Sequence, residues 1–368
     1  MVLITSACEN PAGPNKGTGG DSGTGGDSGP GGGDGTPGNP FIVYNVETLE
    51  AVGNAPAGYE DWTLDKHYIQ TEDITLTSNW TRIGDISIPF TGTYDGGNKT
   101  ITGLTISASG DQYQGLFGFI DGTGAVKNVR LEDVNISGGQ GTGGVVGNNN
   151  YGTVQNVRLV GVSITGGNYT GGVVGINGGT VENCSVTGTV SGGIDTGGVV
   201  GLNGDGSTVQ NCYATGDVSG GSGTGGVVGN NNYGTVQNCY ATGAVSGSNF
   251  FVGGVVGSNS NGSTVRNCVA LSEIVSGSFL VGRVVSANDG FLTNNYARSD
   301  MGGTTGQFTA KAHDGKDGAD VASGQYNNQT WWTTPGMWAT SGGATAWDFT
   351  TVWDWDSGTN LPKLMPAP

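Results

Sequence analysis

The 368-residue sequence has few basic residues, only two histidines and no long apolar run. Its 13 Lys and Arg stand against 30 Asp and Glu, a formal net charge of −17 that argues against binding to nucleic acid or to anionic lipid. Without a run of about 18 apolar residues, the sequence predicts no transmembrane helix. Long stretches of Ala, Leu, Glu and Lys are also missing, which disfavours helices over most of the chain.

Glycine is the abundant residue, with 75 of 368 positions, a content at which disorder becomes the default expectation. Between residues 143 and 281, however, the glycines are periodic. The pentapeptide Gly-Gly-Val-Val-Gly begins at intervals of 28, 26, 28 and 28 residues, at Gly143, Gly171, Gly197, Gly225 and Gly253. A tetrapeptide Thr-Val-x-Asn follows in every unit, at 153–156, 180–183, 208–211, 235–238 and 264–267. Such a period indicates a solenoid or a repeat array.

Short apolar segments separated by Gly, Asn, Ser and Asp predict three short strands and three bends in each unit. One unit then makes a coil roughly 90 Å around, and successive coils stack about 4.8 Å apart through parallel hydrogen bonds. Crossovers between parallel strands are nearly always right-handed. The sequence therefore predicts an all-β, right-handed parallel β-helix (a β-solenoid) with N- and C-terminal caps.

Stacked coils place each side chain over its counterpart one unit earlier, so the repeat predicts columns of side chains. One column is asparagine, whose stacked amides are expected to bond to each other and to the backbone of a bend: Asn128, Asn156, Asn183, Asn211, Asn238, Asn267 and Asn294. The next column is predicted to be a buried wall: Val129, Val157, Cys184, Cys212, Cys239 and Cys268, followed by Asn295.

Four of the five cysteines lie in this one column, an arrangement unlike a disulfide framework. Neighbouring rungs are close enough for a disulfide on distance alone. Valine fills the same column in earlier units, however, and this favours buried free thiols. Four cysteines in a line, with one coil between each pair, do not form a tetrahedral metal site. We therefore predict no metal and no cofactor.

The pattern Gly-Gly-Val-Val-Gly-x-Asn … Asn-Cys-Tyr-Ala-Thr-Gly-x-Val, clearest at 197–218 and 225–245, resembles the GLUG repeat of bacterial surface proteins. That repeat also occurs in adhesin-like proteins and in the non-catalytic part of IgA-cleaving metallopeptidases. Residues 90–101 resemble the segment that commonly precedes the repeats. The resemblance covers roughly residues 80 to 300 and implies a solenoid in a surface context, without a shared chemistry.

The first eight residues end in Ser-Ala-Cys and resemble the lipobox of bacterial lipoproteins, so Cys8 is the predicted lipid attachment site. The apolar run before Cys8 is too short for a signal peptide and has no basic start, so we expect a truncated leader or a misplaced start codon. The alternative is an unmodified Cys8 in a frayed tail. Residues 9–40 consist almost wholly of Gly, Ser, Thr, Asp, Asn and Pro and predict a disordered tether.

The remaining chain divides into three parts. Residues 41–114 are predicted to be the N-terminal cap and first coils, with a short helix over 46–52 that Asn45 caps. Residues 115–298 hold the repeats, and residues 299–368 are interpreted as a C-terminal cap that plugs the last coil. A sugar-binding platform is the alternative for this last part, since tryptophan faces stack on sugar rings. It contains six tryptophans within 25 residues: Trp331, Trp332, Trp338, Trp347, Trp353 and Trp355.

Parallel β-helices often host polysaccharide-cleaving sites, which need paired carboxylates or Asp clusters with Ca²⁺. The columns place no acids together: Glu182 shares its column with Gln155, Gln210, Gln237 and Arg266. Three aspartates of the repeats fall on turns at different offsets: Asp195, Asp205 and Asp217. The histidines His67 and His313 are isolated. Acids outside the repeats can still meet in space: Asp61, Asp65, Asp111, Asp348, Asp354 and Asp356. We predict no catalytic residue and no enzyme.

These observations favour a non-enzymatic bacterial surface lipoprotein with a structural or adhesive role, lipid-anchored at the outer membrane. The expected partners are the membrane and a glycan or protein ligand on a cell surface. The alternative is a carbohydrate-binding or carbohydrate-cleaving β-helix. A third hypothesis, an ice- or mineral-binding face, would use the regular threonine column Thr153, Thr180, Thr208, Thr235 and Thr264.

Overall fold

The computed structural model describes residues 31–303, 308–334, 336–339 and 346–366. They form a parallel β-solenoid, which confirms the predicted fold class. Successive coils pair in parallel at the spacing of the repeat, so that Val154 lies beside Val181 and Val181 beside Val209. Cys8 and residues 9–30 of the predicted tether lie outside the described residues.

Each coil contributes to four main stacks of strands, and the repeats add a fifth stack of two-residue strands, where three strands per coil were predicted. The first stack precedes the asparagine bend and contains Phe41–Val43, His67–Gln70, Thr93–Asp95, Ala125–Lys127, the starts of Thr153–Thr165 and Thr180–Ser191, Thr208–Gln210, Thr235–Gln237, Thr264–Arg266 and Phe291–Thr293. The second stack follows the bend and contains Ile74–Thr75, Thr100–Thr102, Arg130–Glu132, the middles of the same two long strands, Tyr213–Ala214, Tyr240–Ala241, Val269–Ala270, Tyr296–Arg298 and Ala319–Val321.

The third stack closes toward the Gly-Gly turn and contains Thr105–Ser107, Asn135–Ser137, the ends of the two long strands, Asp217–Gly220, Val245–Gly253 and Val275–Gly282. Short strands follow it at Thr142–Gly143, Thr170–Gly171, Thr196–Gly197 and Thr224–Gly225. The fourth stack is a separate sheet of seven strands: Phe117–Asp121, Val146–Asn150, Val174–Asn177, Val200–Asn203, Val228–Asn231, Val256–Asn259 and Val285–Asn288.

The bend between the first and second stacks explains why asparagine recurs there. All seven asparagines of the predicted column have φ between 51° and 56°, the left-handed region. Asparagine tolerates this region better than most other residues with a side chain, because its short polar group bonds locally. The residue type is therefore set by the backbone of the bend, and the stacked amides follow from it.

The Gly-Gly-Val-Val-Gly turn combines a close backbone approach with a buried core. A Cβ atom on Gly143 would lie 2.2 Å from the carbonyl oxygen of Val146, so a larger residue does not fit. Val145 and Val146, which follow, are fully buried. Burying a valine stabilises the fold by roughly 1.5 kcal/mol or more, and the repeat supplies such a pair in every unit.

The N-terminal end of the solenoid is closed by a helix, an aromatic cluster and part of the predicted tether. The helix Val46–Ala51 begins at Asn45, which forms a reciprocal capping box with Thr48, as the sequence predicts. Residues 31–40 also belong to this end, because Gly31 and Gly35 accept backbone hydrogen bonds from Ile42 and His67. The tether was predicted to run to residue 40; its last ten residues instead pack here, since positive-φ glycines can turn tightly against the first coil.

Residues 308–321 cover the opposite end. The amides of Val284 and Val285 donate to the carbonyl oxygen of Lys316, and the strand Ala319–Val321 pairs with Tyr296–Arg298. The buried guanidinium of Arg283 donates to backbone oxygens of this segment and pairs with Asp320. These bonds satisfy groups that an uncovered sheet edge would expose.

Candidate binding cleft

From Asn128 to Asn238, the predicted asparagine column forms a ladder of amide hydrogen bonds, which stops at Asn238 because its Oδ1 accepts no bond from Asn267. Each Nδ2 donates to Oδ1 of the residue one coil earlier, over 2.9 Å from Asn156 to Asn128 and 3.1 Å from Asn183 to Asn156. Asn211 and Asn238 continue it at 3.1 and 3.3 Å. The column is half-buried from Asn128 to Asn211 and fully buried at Asn238 and Asn267.

The structure contains a second amide ladder, which was not predicted from the sequence. Its asparagines are almost completely buried except the last, and they donate in the opposite direction, each Nδ2 to Oδ1 one coil later at 2.7 or 2.8 Å: Asn149, Asn177, Asn203, Asn231, Asn259 and Asn288. The signal was available, since an asparagine stands at the same offset in each Gly-Gly-Val-Val-Gly-x-Asn unit. This ladder provides hydrogen-bond partners for polar side chains buried inside the coil.

The cysteine column lies behind the first ladder. Cys184, Cys212, Cys239 and Cys268 are fully buried and carry free thiols. The Sγ atom of Cys212 lies 3.8 Å from the carbonyl oxygen of Val181. Burial raises the pKa of the Cys212 and Cys268 thiols, since a thiolate would lose its hydration there. The buried column contributes packing and presents no nucleophile to solvent.

We predicted that the Trp-rich segment plugs the last coil. In the structure it packs instead on the side of the solenoid. Its helices Ser323–Tyr326 and Gln329–Thr333 and its antiparallel pair Trp353–Asp356 and Leu361–Leu364 belong to an aromatic cluster on the outer flank of the second stack. The solenoid side of that cluster is a row of in-register residues: Tyr213, Tyr240, Val269 and Tyr296. Burial against these large side chains stabilises the segment at this position.

This packing buries most of the tryptophan side chains. Five of the six are buried, among them Trp332 and Trp353 with no exposed surface. The ring of Trp347 lies 4.6 Å from each of these two, centroid to centroid. Faces buried against each other cannot stack on a ligand, so the packing role is favoured over a sugar-binding platform.

The same segment covers one end of the asparagine column. Asn267 exchanges two hydrogen bonds with the backbone of Ala339, at 3.0 and 2.8 Å, and Asn294 donates to the carbonyl oxygen of Met337 at 3.1 Å. We call these two residues the covered rungs. The open rungs are Asn128, Asn156 and Asn183, which the segment leaves unbonded.

A cleft of about 550 Å³ lies over the open rungs. The amide ladder forms its floor, and the outward side chains of the second stack form one wall: Arg130, Arg158, Ser185 and Tyr213. The opposite wall comes from the end of the C-terminal segment: Thr351, Val352, Leu364, Met365 and Pro366. This volume suits a small-molecule or oligomeric ligand.

Two arginines occupy neighbouring rungs in the cleft. Arg130 and Arg158 are in register, and Nε of Arg130 donates to Oε1 of Glu132 at 2.8 Å. Arg158 is exposed, and among the described residues it forms no ion pair. Glu182 also lines the cleft, where its carboxylate accepts a hydrogen bond of 2.6 Å from Gln210.

The remaining acids and histidines do not assemble in the part of the chain that the structure describes. No group of three or more His, Cys, Asp or Glu there could hold a metal ion. Asp65, Asp348 and Asp356 accept hydrogen bonds from threonines within three residues, and those from Thr350 and Thr351 lower the pKa of Asp348 to about 2. They stabilise local turns.

Asp195 is the one repeat acid with an unusual environment. It lies at a bend in the left-handed region, as predicted for a turn, but it is buried. Burial raises the pKa of its carboxyl to about 6, although Asn230 donates a hydrogen bond to it at 3.1 Å. The threonine column Thr153 to Thr264 is in register and half-buried along the first stack, and nothing in its environment distinguishes it from ordinary strand threonine.

Comparison with known sequences confirms the resemblance to GLUG proteins: residues 166–191 and 192–219 match the GLUG motif. The chain is 32% identical over 120 residues to halomucin of Haloquadratum walsbyi, which is 31% of this chain and 1% of halomucin. It is 31% identical over 123 residues to a provisionally named Gly-rich membrane protein of Evansella cellulosilytica, covering 13% of that protein. The chain thus spans a small part of the length of these relatives.

Among solved structures, the chain is similar to a Bacteroides ovatus protein provisionally named an immunoglobulin A1 protease. The two share a TM-score of 0.62 and 22% identity over 91% of this chain and 95% of the other. A likeness at this identity supports the solenoid fold and carries no activity with it. In the described residues, no helix is long and apolar enough to cross a membrane.

Proposed function

We propose that the protein is a non-enzymatic bacterial surface protein that presents a rigid β-solenoid in a structural or adhesive role. The observation that carries the proposal is the unbroken register of the repeat, in which amide ladders, valines and thiols all serve stacking. Asp348 and Asp356 support local turns, and Glu132 pairs with Arg130, which favours structural roles for these acids over the paired-carboxylate chemistry of a polysaccharide-cleaving site. The names of the two relatives, halomucin and a Gly-rich membrane protein, support a place outside the cytoplasm.

Lipid attachment at Cys8 is the finer part of this proposal. The sequence around Cys8 supports it, and the Gly-rich residues that follow would give a flexible reach of about 30 Å by random-coil scaling. Stable anchoring takes more than one acyl chain, and lipidated cysteines that carry several need no basic patch on the protein. That fits a chain with a net charge of −17.

The test is fractionation of cells that express the full-length precursor with any missing leader restored. We expect the native protein in the membrane fraction and accessible to protease on intact cells, and Cys8→Ser released from the membrane. Cys184→Ser is the matched control, since it changes a buried thiol and should leave fractionation unchanged. A native protein found in the cytosol, or a Cys8→Ser protein that stays in the membrane, contradicts the proposal.

A second candidate function is carbohydrate binding. The observation that favours it is the polar cleft over the open rungs, which combines amides, a guanidinium and an apolar wall. A glycan array probed with the purified protein separates this candidate from a purely structural role.

A further inference from the structure

We propose that the cleft binds an acidic carbohydrate, a short chain of sugars that carry carboxylates, and that Arg158 contacts one of these carboxylates. The inference rests on the proposed ligand-presenting function and names the class of ligand. It concerns the face of the solenoid that the C-terminal segment leaves open.

The floor of the cleft suits a ligand rich in hydroxyl groups. Each amide of an open rung has two N–H donors and two acceptor lone pairs. The ladder uses one donor and one acceptor of Asn156, in bonds to Asn128 and from Asn183. A second donor remains on each half-buried rung, repeated every coil, and a hydroxyl can both accept from it and donate onward.

The first wall adds a positive charge, the planar guanidinium of Arg158. Arg158 stands exposed in the second stack, between Arg130 and Ser185 in register. Glu132 neutralises Arg130, so Arg158 is the guanidinium of this wall that is left for an anion. A guanidinium fork binds a carboxylate through two parallel hydrogen bonds. Because the whole chain carries a charge of −17, an anionic ligand needs such a local contact to overcome long-range repulsion.

The opposite wall is apolar, and this favours sugars over an acidic peptide. Val352, Leu364 and Met365 face the amide floor and can cover the C–H face of a sugar ring. An extended peptide would dock most readily by adding a strand to a free sheet edge. The strands beneath the cleft already pair on both sides, as Thr100–Thr102, Arg130–Glu132 and the coil of Arg158 do, so they offer no such edge.

Isothermal titration of the full chain with trigalacturonate, at one fixed salt concentration, tests the proposal. A neutral galactose trimer and a triglutamate peptide serve as comparison probes. We expect binding of trigalacturonate alone, weakened roughly tenfold to a hundredfold by Arg158→Gln, as for loss of a charge-assisted bidentate contact. Arg158→Lys should fall between the two. Lys311→Gln removes one positive charge at the far end of the solenoid and should leave binding unchanged.

Several outcomes would overturn the proposal. Equal binding of the neutral trimer removes the role of the carboxylate, and preferential binding of triglutamate assigns the cleft to a protein partner. An equal loss in Lys311→Gln reduces the effect to net charge, and failure of all three probes to bind leaves the cleft without this function. Because the titration uses purified protein, these results are independent of the cell fractionation that tests surface display. Thermal unfolding of each variant verifies that exposed Arg158 can be changed without loss of the fold.

Discussion

The two ends of the asparagine column differ in what lies over them. At the open rungs, the amides of Asn128, Asn156 and Asn183 bond along the ladder and face a cleft. At the covered rungs, Asn267 and Asn294 bond to the backbone of the C-terminal segment. Residue type, bend conformation and register are the same in both places. A repeat therefore supplies a surface many times over, and a non-repetitive segment decides where that surface remains available.

The difference between the regions follows from the neighbouring row of the second stack. At the covered rungs this row is Val269 and Tyr296, with Tyr240 one coil earlier, and it offers large apolar surfaces to the tryptophans. Beside the open rungs it is Arg130, Arg158 and Ser185, which are polar. The tryptophans pack where burial of aromatic surface is favourable, and not against the row that contains charged side chains, whose burial would cost their hydration.

The largest expected effect comes from breaking what the two regions share, the buried cysteine column. Cys212→Asp places a carboxylate between Cys184 and Cys239 without a partner, and it should lower the free energy of unfolding by about 5 kcal/mol or more. Cys212→Val should be nearly neutral, as valine fills the same column at Val157. Urea denaturation measures both, and equally small losses would mean that the column is not part of the core.

A smaller effect is expected from removing the cover itself. Trp332→Ala deletes a fully buried ring at the centre of the aromatic cluster, and we expect a loss of about 3–4 kcal/mol confined to the C-terminal segment. Hydrogen exchange should then rise at the amide of Ala339, which donates to Asn267, while Asn183 and its coil keep their protection. Uniform loss of protection along the solenoid would show that the segment and the coils unfold as one unit.

The smallest effect compares single rungs. Glycine keeps the left-handed bend and removes the amide, so Asn→Gly isolates the ladder bonds. Asn267→Gly removes a fully buried amide that pairs with both backbone groups of Ala339 and should cost about 2 kcal/mol, whereas Asn183→Gly opens onto a cleft where water can replace the amide and should cost about 1 kcal/mol. Thermal or urea unfolding measures both. The comparison of open and covered rungs fails if Asn183→Gly is the more damaging change.

Much of the fold was predictable because the repeat aligns equivalent residues. The asparagine and cysteine columns follow from counting, since parallel coils place residue over residue. The capped helix after Asn45 follows from a local pattern. The second amide ladder could have been predicted in the same way from Asn149, Asn177 and their counterparts. The coil has more strands than predicted, because two-residue strands such as Thr196–Gly197 are too short to be recognised from local sequence.

The path of the C-terminal segment was not predictable from local patterns. Six tryptophans indicate a large apolar burial, but their partners Tyr213, Tyr240 and Tyr296 lie far away in sequence and appear in the repeat as ordinary strand residues. Likewise, residues 31–40 look like the tether in composition, and their contacts depend on backbone bonds to Ile42 and His67. The cleft exists only because two such distant parts meet.

The amino-acid order alone dictates the coil, because hydrophobic spacing, glycine turns and left-handed asparagine bends are local requirements that recur with the repeat. It also dictates the ladders, since parallel stacking places each residue beside its counterpart in the preceding coil. Which rungs are covered and which line a cleft beside Arg158 is decided by tertiary structure. The physical reason is that this choice depends on the burial of aromatic area and the desolvation of charges between segments that are distant in sequence, as in the hydrogen bond from Tyr240 to Pro362.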